Sequence, residues 1–258
     1  MVYKKGPPYA VRAVKEICRD IDAAREHYGT GVKTLFLPAG NTIAMPTRDL
    51  AAVCQHAVAT FPDLQRITVY GSAQYIAQKG RDGLITLGSS GLGRIHMGLE
   101  SGDDAVLKNV KKGADAAEQI RAGQLAKAAG ISLSVYVILG LGGVDLSKRH
   151  AVHTAKAINA MEPDFVRLRT LMPKINTFLL HQIRKGRFQL LSPHQVLEET
   201  RCLLENLQCR TILASDHYTN YLNLSGNLPE DKSRLLREID RALKWPAERF
   251  RPIFVGTQ

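Results

Sequence analysis

RIHMGLESG, residues 94–102, is the stretch that decides the fold. Ile95, Met97 and Leu99 alternate with polar or small residues, which is the pattern of a β-strand with one buried face. The run ends at Glu100, so a carboxylate stands where the strand should stop. In parallel α/β folds the loops after the strands carry ligands. Glu100 is therefore a candidate ligand residue, with an ordinary solvated loop residue as the alternative.

Similar apolar runs recur along the chain, and their starts are about 28 to 47 residues apart. Most of the gaps show helical periodicity, and a crossover between parallel strands needs at least a dozen residues. The spacing predicts an α/β fold built of βα units, either a barrel or part-barrel or, as the alternative, an open doubly wound sheet. We expect strands at 32–38, 66–70, 94–100, 132–139, 164–171 and 211–215, and helices at 11–28, 47–61, 114–129, 145–160, from 192, and 229–245.

No linker rich in Pro, Gly or Ser interrupts the 258 residues. The sequence therefore predicts a single domain over residues 1–258, in which residues 229–258 form a C-terminal helix and tail.

The formal net charge is +11, from 35 Lys and Arg against 24 Asp and Glu. These residues are dispersed, and the densest group is Lys108, Lys111 and Lys112, so a solvated surface is favoured over a nucleic-acid interface. No apolar run has the length of a membrane span, and the first ten residues, MVYKKGPPYA, lack the apolar core of a signal peptide. We expect a cytoplasmic protein.

The four cysteines, Cys18, Cys54, Cys202 and Cys209, are too far apart in sequence for a local CxxC-type ligand set. Cys18 and Cys54 fall on apolar helix faces and are predicted to be small core residues. Cys202 and Cys209 share a helix face, but two thiols do not make a metal site. The sequence thus predicts no metal ligands in the chain.

The predicted strand ends bring glycine turns, a carboxylate and arginines to one edge of the sheet. Glycines let backbone approach a ligand closely, a carboxylate can accept from ribose hydroxyls, and guanidinium groups pair with anions. Together they favour a nucleoside-like ligand with an anionic part, although each alone is equally a turn, a surface charge or a capping pair. The segments are Ala39-Gly40-Asn41, Gly71-Ser72, Glu100-Ser101, Gly140-Leu141-Gly142, Arg167 with Arg169, and Asp216-His217.

Three of these runs carry a resemblance to a known family. RIHMGLESGDDAVLKNVKKG (94–113), AGISLSVYVILGLGG (129–143) and NAMEPDFVRLRTL (159–171) resemble the radical S-adenosylmethionine (radical SAM) superfamily, in particular its coproporphyrinogen-oxidase-like iron-sulfur oxidoreductases. The resemblance runs from residue 3 to about residue 235. It implies a partial TIM-type (βα)6 barrel, S-adenosylmethionine and a four-iron four-sulfur cluster as cofactors, an electron donor such as flavodoxin or ferredoxin, and a substrate that the residues do not identify.

The resemblance also implies roles for individual residues. Ala39, Gly40 and Asn41 stand where the family has a GGE-type turn that meets the amino group of the methionine moiety; the acid is missing here, so backbone carbonyls would serve. Glu100 and Ser101 would meet the ribose or the methionine end of the ligand. The remaining implied contacts are Ile138 and Gly140 for adenine, Arg167 or Arg169 for the methionine carboxylate, and Asp216, His217 and Tyr218 on the substrate side.

One family motif is absent from the sequence. The cluster of the family is held by three cysteines spaced CxxxCxxC after the first barrel strand, and this sequence contains neither that motif nor a strand pattern before its first helix. We expect a truncated chain, or one begun at an internal methionine, rather than a natural cluster-free form. As written it should not generate the 5′-deoxyadenosyl radical. A cluster-free protein that binds S-adenosylmethionine or a nucleoside, and a basic nucleic-acid-binding protein, remain the alternatives.

Overall fold

The computed structural model describes residues 10–38, 40–175 and 177–252. Within these residues, seven strands form one sheet in which neighbours follow chain order. The strands are β1 (Thr34–Leu37), β2 (Arg66–Tyr70), β3 (Leu92–Glu100), β4 (Ser132–Leu139), β5 (Phe165–Thr170), β6 (Thr211–Ala214) and β7 (Ser225–Leu228).

Helices alternate with most of these strands. They are α1 (Val14–Tyr28), α2 (Thr47–Thr60), α3 (Ala73–Ser89), α4 (Asp104–Asn109), α5 (Ala116–Ala128), α6 (Gly143–Met161), α7 (Phe178–Arg184), α8 (Pro193–Asn206) and α9 (Lys232–Ala242). No helix in the described part of the chain has both the length and the apolar character that crossing a membrane requires.

The strand order decides between the two predicted folds. The pairs β1–β2, β2–β3 and β5–β6 are parallel, and the order runs from β1 to β6 without reversal. A doubly wound sheet reverses its order at a switch point, whereas a barrel adds each strand beside the last. The α/β barrel-type prediction is confirmed. The prediction of six strands was incomplete, because β7 adds a seventh that pairs antiparallel with β6.

The chain divides into two compact units. The N-terminal unit comprises the described residues of 10–98 together with 118–135, and the C-terminal unit those of 99–117 and 136–252. The carboxyl ends of β3 and β4 belong to the C-terminal unit. The single-domain assignment from sequence remains a prediction.

Each unit has its own apolar core. In the N-terminal unit, Ile67, Val69, Ile95 and Met97 are fully buried on one face of β2 and β3. In the C-terminal unit the corresponding buried side chains are Leu99, Val137, Leu139, Val166 and Leu168. Because strand side chains alternate between faces, the intervening residues lie on the opposite, more polar face.

Three helices were not predicted from sequence. In α3 the glycines weaken helical propensity, and Gly80 interrupts the helix with a φ of 62° and a ψ of 179°. The helices α4 and α7 have six and seven residues, too short for a clear period. By contrast, the predicted start of α8 is confirmed: Ser192 is the N-cap, Pro193 follows it, and Gln195 completes a capping box.

The last helix covers the last strand. Arg234 of α9 donates from Nη2 to the carbonyl oxygen of Ser225 at 2.9 Å, and Asp231 Oδ2 accepts from the Asn227 N–H at 2.8 Å. Gly226 lies so close that an added Cβ would be 2.8 Å from Asp231 Cβ. Side chains thus bond to backbone groups of β7 at two successive outward-facing positions.

Candidate functional site

In the N-terminal unit, one side chain joins the loops that follow β1 and β2. Asn41 accepts from the backbone N–H of Ser72 at 2.9 Å and donates to the Ser72 hydroxyl at 3.0 Å. The amide of Asn41 is therefore used to position the second loop. Gly40 has room for a Cβ, with nothing within 4 Å. Ala39, the third residue predicted in this turn, lies outside the described residues.

Three rings lie near this loop pair and were not predicted as site residues. Phe36 is 41% exposed and contacts Tyr70 and His96 with ring centroids 5.0 and 5.7 Å away. Tyr70 and His96 are register partners on β2 and β3. The sequence could have indicated these residues, because the alternation of side chains along each strand places them on its polar face.

In the C-terminal unit, Glu100 ends β3 in a left-handed backbone conformation, with a φ of 62°. Such a φ is uncommon for a residue other than glycine and costs free energy. The carboxylate is about one quarter exposed and lies 3.4 Å from Lys112 Nζ. The predicted carboxylate at the mouth of the strand is therefore present, on a turn that redirects the chain into the buried residues that follow.

Ser101, the next residue, is fully buried and bonds to a buried histidine of α6. Its hydroxyl lies 2.8 Å from His150 Nδ1, and the opposite ring atom, Nε2, lies 3.1 Å from the carbonyl oxygen of Ile138. A carbonyl only accepts, so Nε2 carries the proton and Nδ1 accepts from Ser101. Burial lowers the pKa of His150 to about 4, which keeps the ring neutral. One imidazole thus joins the ends of β3 and β4.

Glu199 of α8 reaches the same end of β4. Its Oε1 accepts from the backbone N–H of Gly140 at 2.6 Å, and its Oε2 accepts from the Ser147 hydroxyl at 2.5 Å. Burial raises the pKa of Glu199 to about 7. His150 Nε2 is 3.7 Å from Oε1, which is too long for a hydrogen bond. Since His150 stays neutral, the two side chains do not form an ion pair at neutral pH.

Asp103 secures the loop after Ser101. It is fully buried, caps α4 through the N–H groups of Ala105 and Val106, and lies 2.7 Å from Arg149 Nε and from His153 Nδ1. Burial by itself raises the pKa of this carboxyl, but the hydrogen bonds from Val106 and Arg149 outweigh it and the net shift is downward. Asp103 therefore fixes the turn after β3 both to the start of α4 and to side chains of α6.

The predicted arginines lie on the polar face of β5. The Arg169 guanidinium stacks over the Tyr136 ring with its carbon 4.6 Å from the centroid. Arg167 is half-buried, and its Nε is enclosed without a hydrogen-bond partner among the residues described. A half-buried guanidinium without a carboxylate favours an anion at this face.

The substrate-side residues follow β6. Asp216 and Tyr218 are exposed, and the His217 ring packs against the Tyr218 ring at 4.4 Å. Burial and the nearby Arg169 lower the pKa of His217, while Asp216 opposes the shift. The same arginine that stacks on Tyr136 therefore also acts on His217, so these groups share one region of the C-terminal unit.

The described residues of this chain do not form a ligand set for an iron-sulfur cluster. Cys54 is buried, and burial raises the pKa of its thiol to about 12. No group of three or more Cys, His, Asp or Glu suited to a metal occurs among the described residues. The prediction that Cys54 is a core residue is confirmed, whereas Cys18 is only half-buried.

Comparison with known proteins identifies a family. Residues 1–155 match the family model of the radical SAM superfamily. No curated protein matches the chain.

Several solved structures resemble it in fold. The archaeal Methanocaldococcus infernus Elp3 is 15% identical over 88% of this chain and 59% of its own, with a TM-score of 0.58. Coproporphyrinogen III oxidase (HemN) from Escherichia coli, a radical SAM enzyme, is 18% identical over 74% and 45%, with a TM-score of 0.57. Methylornithine synthase (PylB) is 15% identical over 93% and 75%, with a TM-score of 0.52. The chain thus spans about half the length of the first two structures.

Proposed function

Because this chain belongs to the radical SAM superfamily, whose members use S-adenosylmethionine and a four-iron four-sulfur cluster, we propose that its strand ends bind S-adenosylmethionine. The observation that supports the proposal best is that His150 is hydrogen-bonded both to Ser101 and to the Ile138 carbonyl oxygen. His150 thus fixes the end of β3, with Glu100 and Ser101, beside the end of β4, with Ile138 and Gly140. These are the two strand ends to which the family resemblance gives the nucleoside.

In this proposal each group binds the part of the ligand that its chemistry suits. The Glu100 carboxylate accepts from ribose hydroxyls, and the backbone of the Ile138–Gly140 segment lies against adenine. Arg167 or Arg169 pairs with the methionine carboxylate, which would supply the anion that the half-buried Arg167 lacks among the described residues. In the N-terminal unit, Asn41 and Gly40 keep the backbone-carbonyl role that the family resemblance implies, and the Asn41 side chain holds Ser72 in place.

The substrate side is assigned to Asp216, His217 and Tyr218. His217 is kept neutral near pH 7 by burial and by Arg169, so it can exchange a proton with a bound substrate. Tyr218 is 71% exposed and offers a ring for stacking.

In the superfamily, the cluster supplies an electron for reductive cleavage of the sulfonium, which starts radical chemistry on a substrate. The cysteines of this chain do not provide its ligands, so we assign the chain the binding of S-adenosylmethionine and no electron transfer. Members of the family need a reductant, and we propose that flavodoxin or ferredoxin fills that role for the whole protein, in the cytoplasm.

Isothermal titration calorimetry of the chain with S-adenosylmethionine tests the binding. We expect a saturable signal that is weakened in Arg167→Met and unchanged in Arg184→Met, a control arginine of α7. The absence of heat and of any thermal shift with the unmodified chain would contradict the proposal.

A further inference from the structure

We propose that Glu199 and His150 are positioning residues for the nucleoside site, and that the charge state of Glu199 sets how firmly the Gly140 turn is held and so how tightly the ligand binds. The proposal rests on the proposed function for its ligand. It concerns residues of α6 and α8 that stand behind the strand ends rather than at the ligand.

The first step is geometric. Three consecutive residues at the end of β4, Ile138 to Gly140, are held at both ends by buried side chains. The Ile138 carbonyl oxygen accepts from His150 Nε2 at 3.1 Å, and the Gly140 N–H donates to Glu199 Oε1 at 2.6 Å. Gly140 has a φ of 80°, a backbone conformation that few residues other than glycine adopt. Because glycine can adopt many backbone conformations, the hydrogen bond to Glu199 is needed to hold Gly140 in this one.

The second step extends this hydrogen-bonded restraint to the end of β3. The Nδ1 atom of the same imidazole accepts from Ser101, whose oxygen in turn accepts from the Asp103 N–H at 3.0 Å. A displacement of His150 would therefore move the residue next to Glu100 together with the adenine-side segment. Such a chain of buried, mutually satisfied hydrogen bonds holds one arrangement more strongly than its separate members would.

The third step is the charge of Glu199. Oxygens of a carboxylate accept hydrogen bonds more strongly than those of a neutral acid, and this group changes form near neutral pH because burial raises its pKa to about 7. Ionised Glu199 thus holds the Gly140 N–H more firmly than protonated Glu199 does.

Among the described residues, the other titratable groups around Glu199 do not reproduce this change. From α6, His150 has a pKa near 4 and stays neutral, and Lys148 acts on Cys202. On its own helix, Cys202 has a thiol pKa raised by burial, so it remains protonated. Toward α9, Arg201 and Asp240 are paired with each other at 2.8 Å.

The first experiment needs no ligand. Hydrogen exchange at the Gly140 amide, corrected for intrinsic rates, is measured by mass spectrometry at pH 6 and pH 8 in the unmodified chain, Glu199→Gln and Glu198→Gln. Glutamine keeps an acceptor for Gly140 but cannot ionise, and Glu198 is the exposed neighbour on the same helix. We expect protection about fivefold higher at pH 8 than at pH 6 in the unmodified chain and in Glu198→Gln, from the charge-assisted bond, and equal protection at both pH values in Glu199→Gln.

The second experiment is the same series of proteins titrated with S-adenosylmethionine. The affinity of the unmodified chain relative to Glu199→Gln should rise by about fivefold from pH 6 to pH 8; the comparison cancels the ligand's own titration. A pH profile in Glu199→Gln identical to that of the unmodified chain, in either experiment, would overturn the proposal. If no protein in the series binds S-adenosylmethionine, the proposed function fails, while the exchange data still decide whether Glu199 holds the turn.

Discussion

Glu100 occupies a backbone conformation that residues other than glycine rarely adopt, and its neighbours explain why it persists. Ser101, Asp103 and Gly102 are all tied to α6 directly after it. The positive φ of Glu100 is therefore maintained because the hydrogen bonds around the following turn offset its strain. Strain at the mouth of a strand is typical of a ligand site, and this agrees with the role proposed for Glu100.

Replacing Glu100 tests that role. Glu100→Ala should weaken S-adenosylmethionine binding by roughly 1 to 3 kcal/mol, because ribose hydroxyls would lose their acceptor. Titration calorimetry measures the change, and Glu118→Ala, an exposed glutamate of α5, serves as the control. Unchanged affinity in Glu100→Ala would remove the residue from the site.

The second prediction concerns how the unfolding free energy depends on pH through Glu199 and His150. Burial lowers the pKa of His150 from 6.5 to about 4, so its contribution to the unfolding free energy grows as pH rises between these values. Burial raises the pKa of Glu199 from 4.5 to about 7, so its contribution falls as pH rises over nearly the same window. In the unmodified chain the two contributions offset each other between about pH 4.5 and 6.5.

Glu199→Gln should remove the offset. Relative to the unmodified chain, its unfolding free energy should rise from pH 4.5 to pH 6.5 by an amount on the order of 3 kcal/mol, the free energy of a shift of this size. Urea denaturation across the window measures it, with Glu198→Gln as the matched control. Parallel curves for Glu199→Gln and the unmodified chain would show that Glu199 ionises as it does in the unfolded state.

Among the elements, α6 depends on a close approach to the turn after β3. A Cβ added at Gly102 would lie 2.4 Å from the carbonyl oxygen of His153 and 2.8 Å from Thr154 Cα, both backbone atoms of α6. The Gly102 N–H also donates to Thr154 Oγ1 at 2.9 Å. Only a residue without a side chain lets this helix and turn meet.

Gly102→Ala should therefore lower the unfolding free energy by about 3 kcal/mol, since rigid backbone must move apart. Gly31→Ala is the control, because nothing lies within 4 Å of a Cβ at that exposed position. Thermal and urea denaturation give the comparison; equal stability of the two variants would mean that α6 shifts without cost.

The sequence predicted the elements whose periodicity is strong and missed the others for identifiable reasons. β3 and its end at Glu100 followed from clean alternation, and the start of α8 from Ser192 and Pro193. The helix α3 was missed because Gly80 interrupts its pattern. The strand β7 was missed because its sequence, Ser-Gly-Asn-Leu, lacks the β-branched and aromatic residues of a typical strand. His150 and Glu199 could not be recognised, because only the packing of α6 and α8 brings them to β4.

For the chain as a whole, the cysteines predict how it behaves with iron. Anaerobic treatment with iron and sulfide should leave no four-iron cluster bound, since no group of three or more suitable ligands occurs among the described residues and Cys54 is enclosed. Iron content and visible absorbance should be the same in the unmodified chain and in a Cys18→Ser, Cys202→Ser double variant. Four irons per chain, lost in the double variant, would contradict this expectation.

The contacts between α9 and β7 have a consequence for self-association. A terminal strand with unoccupied backbone groups is a template on which other chains can add, and soluble proteins block such templates. Here Arg234 and Asp231 already bond to the outward carbonyl of Ser225 and N–H of Asn227. A strand from another molecule would have to displace both side chains, so this border of the sheet resists amyloid-like growth as long as α9 stays folded.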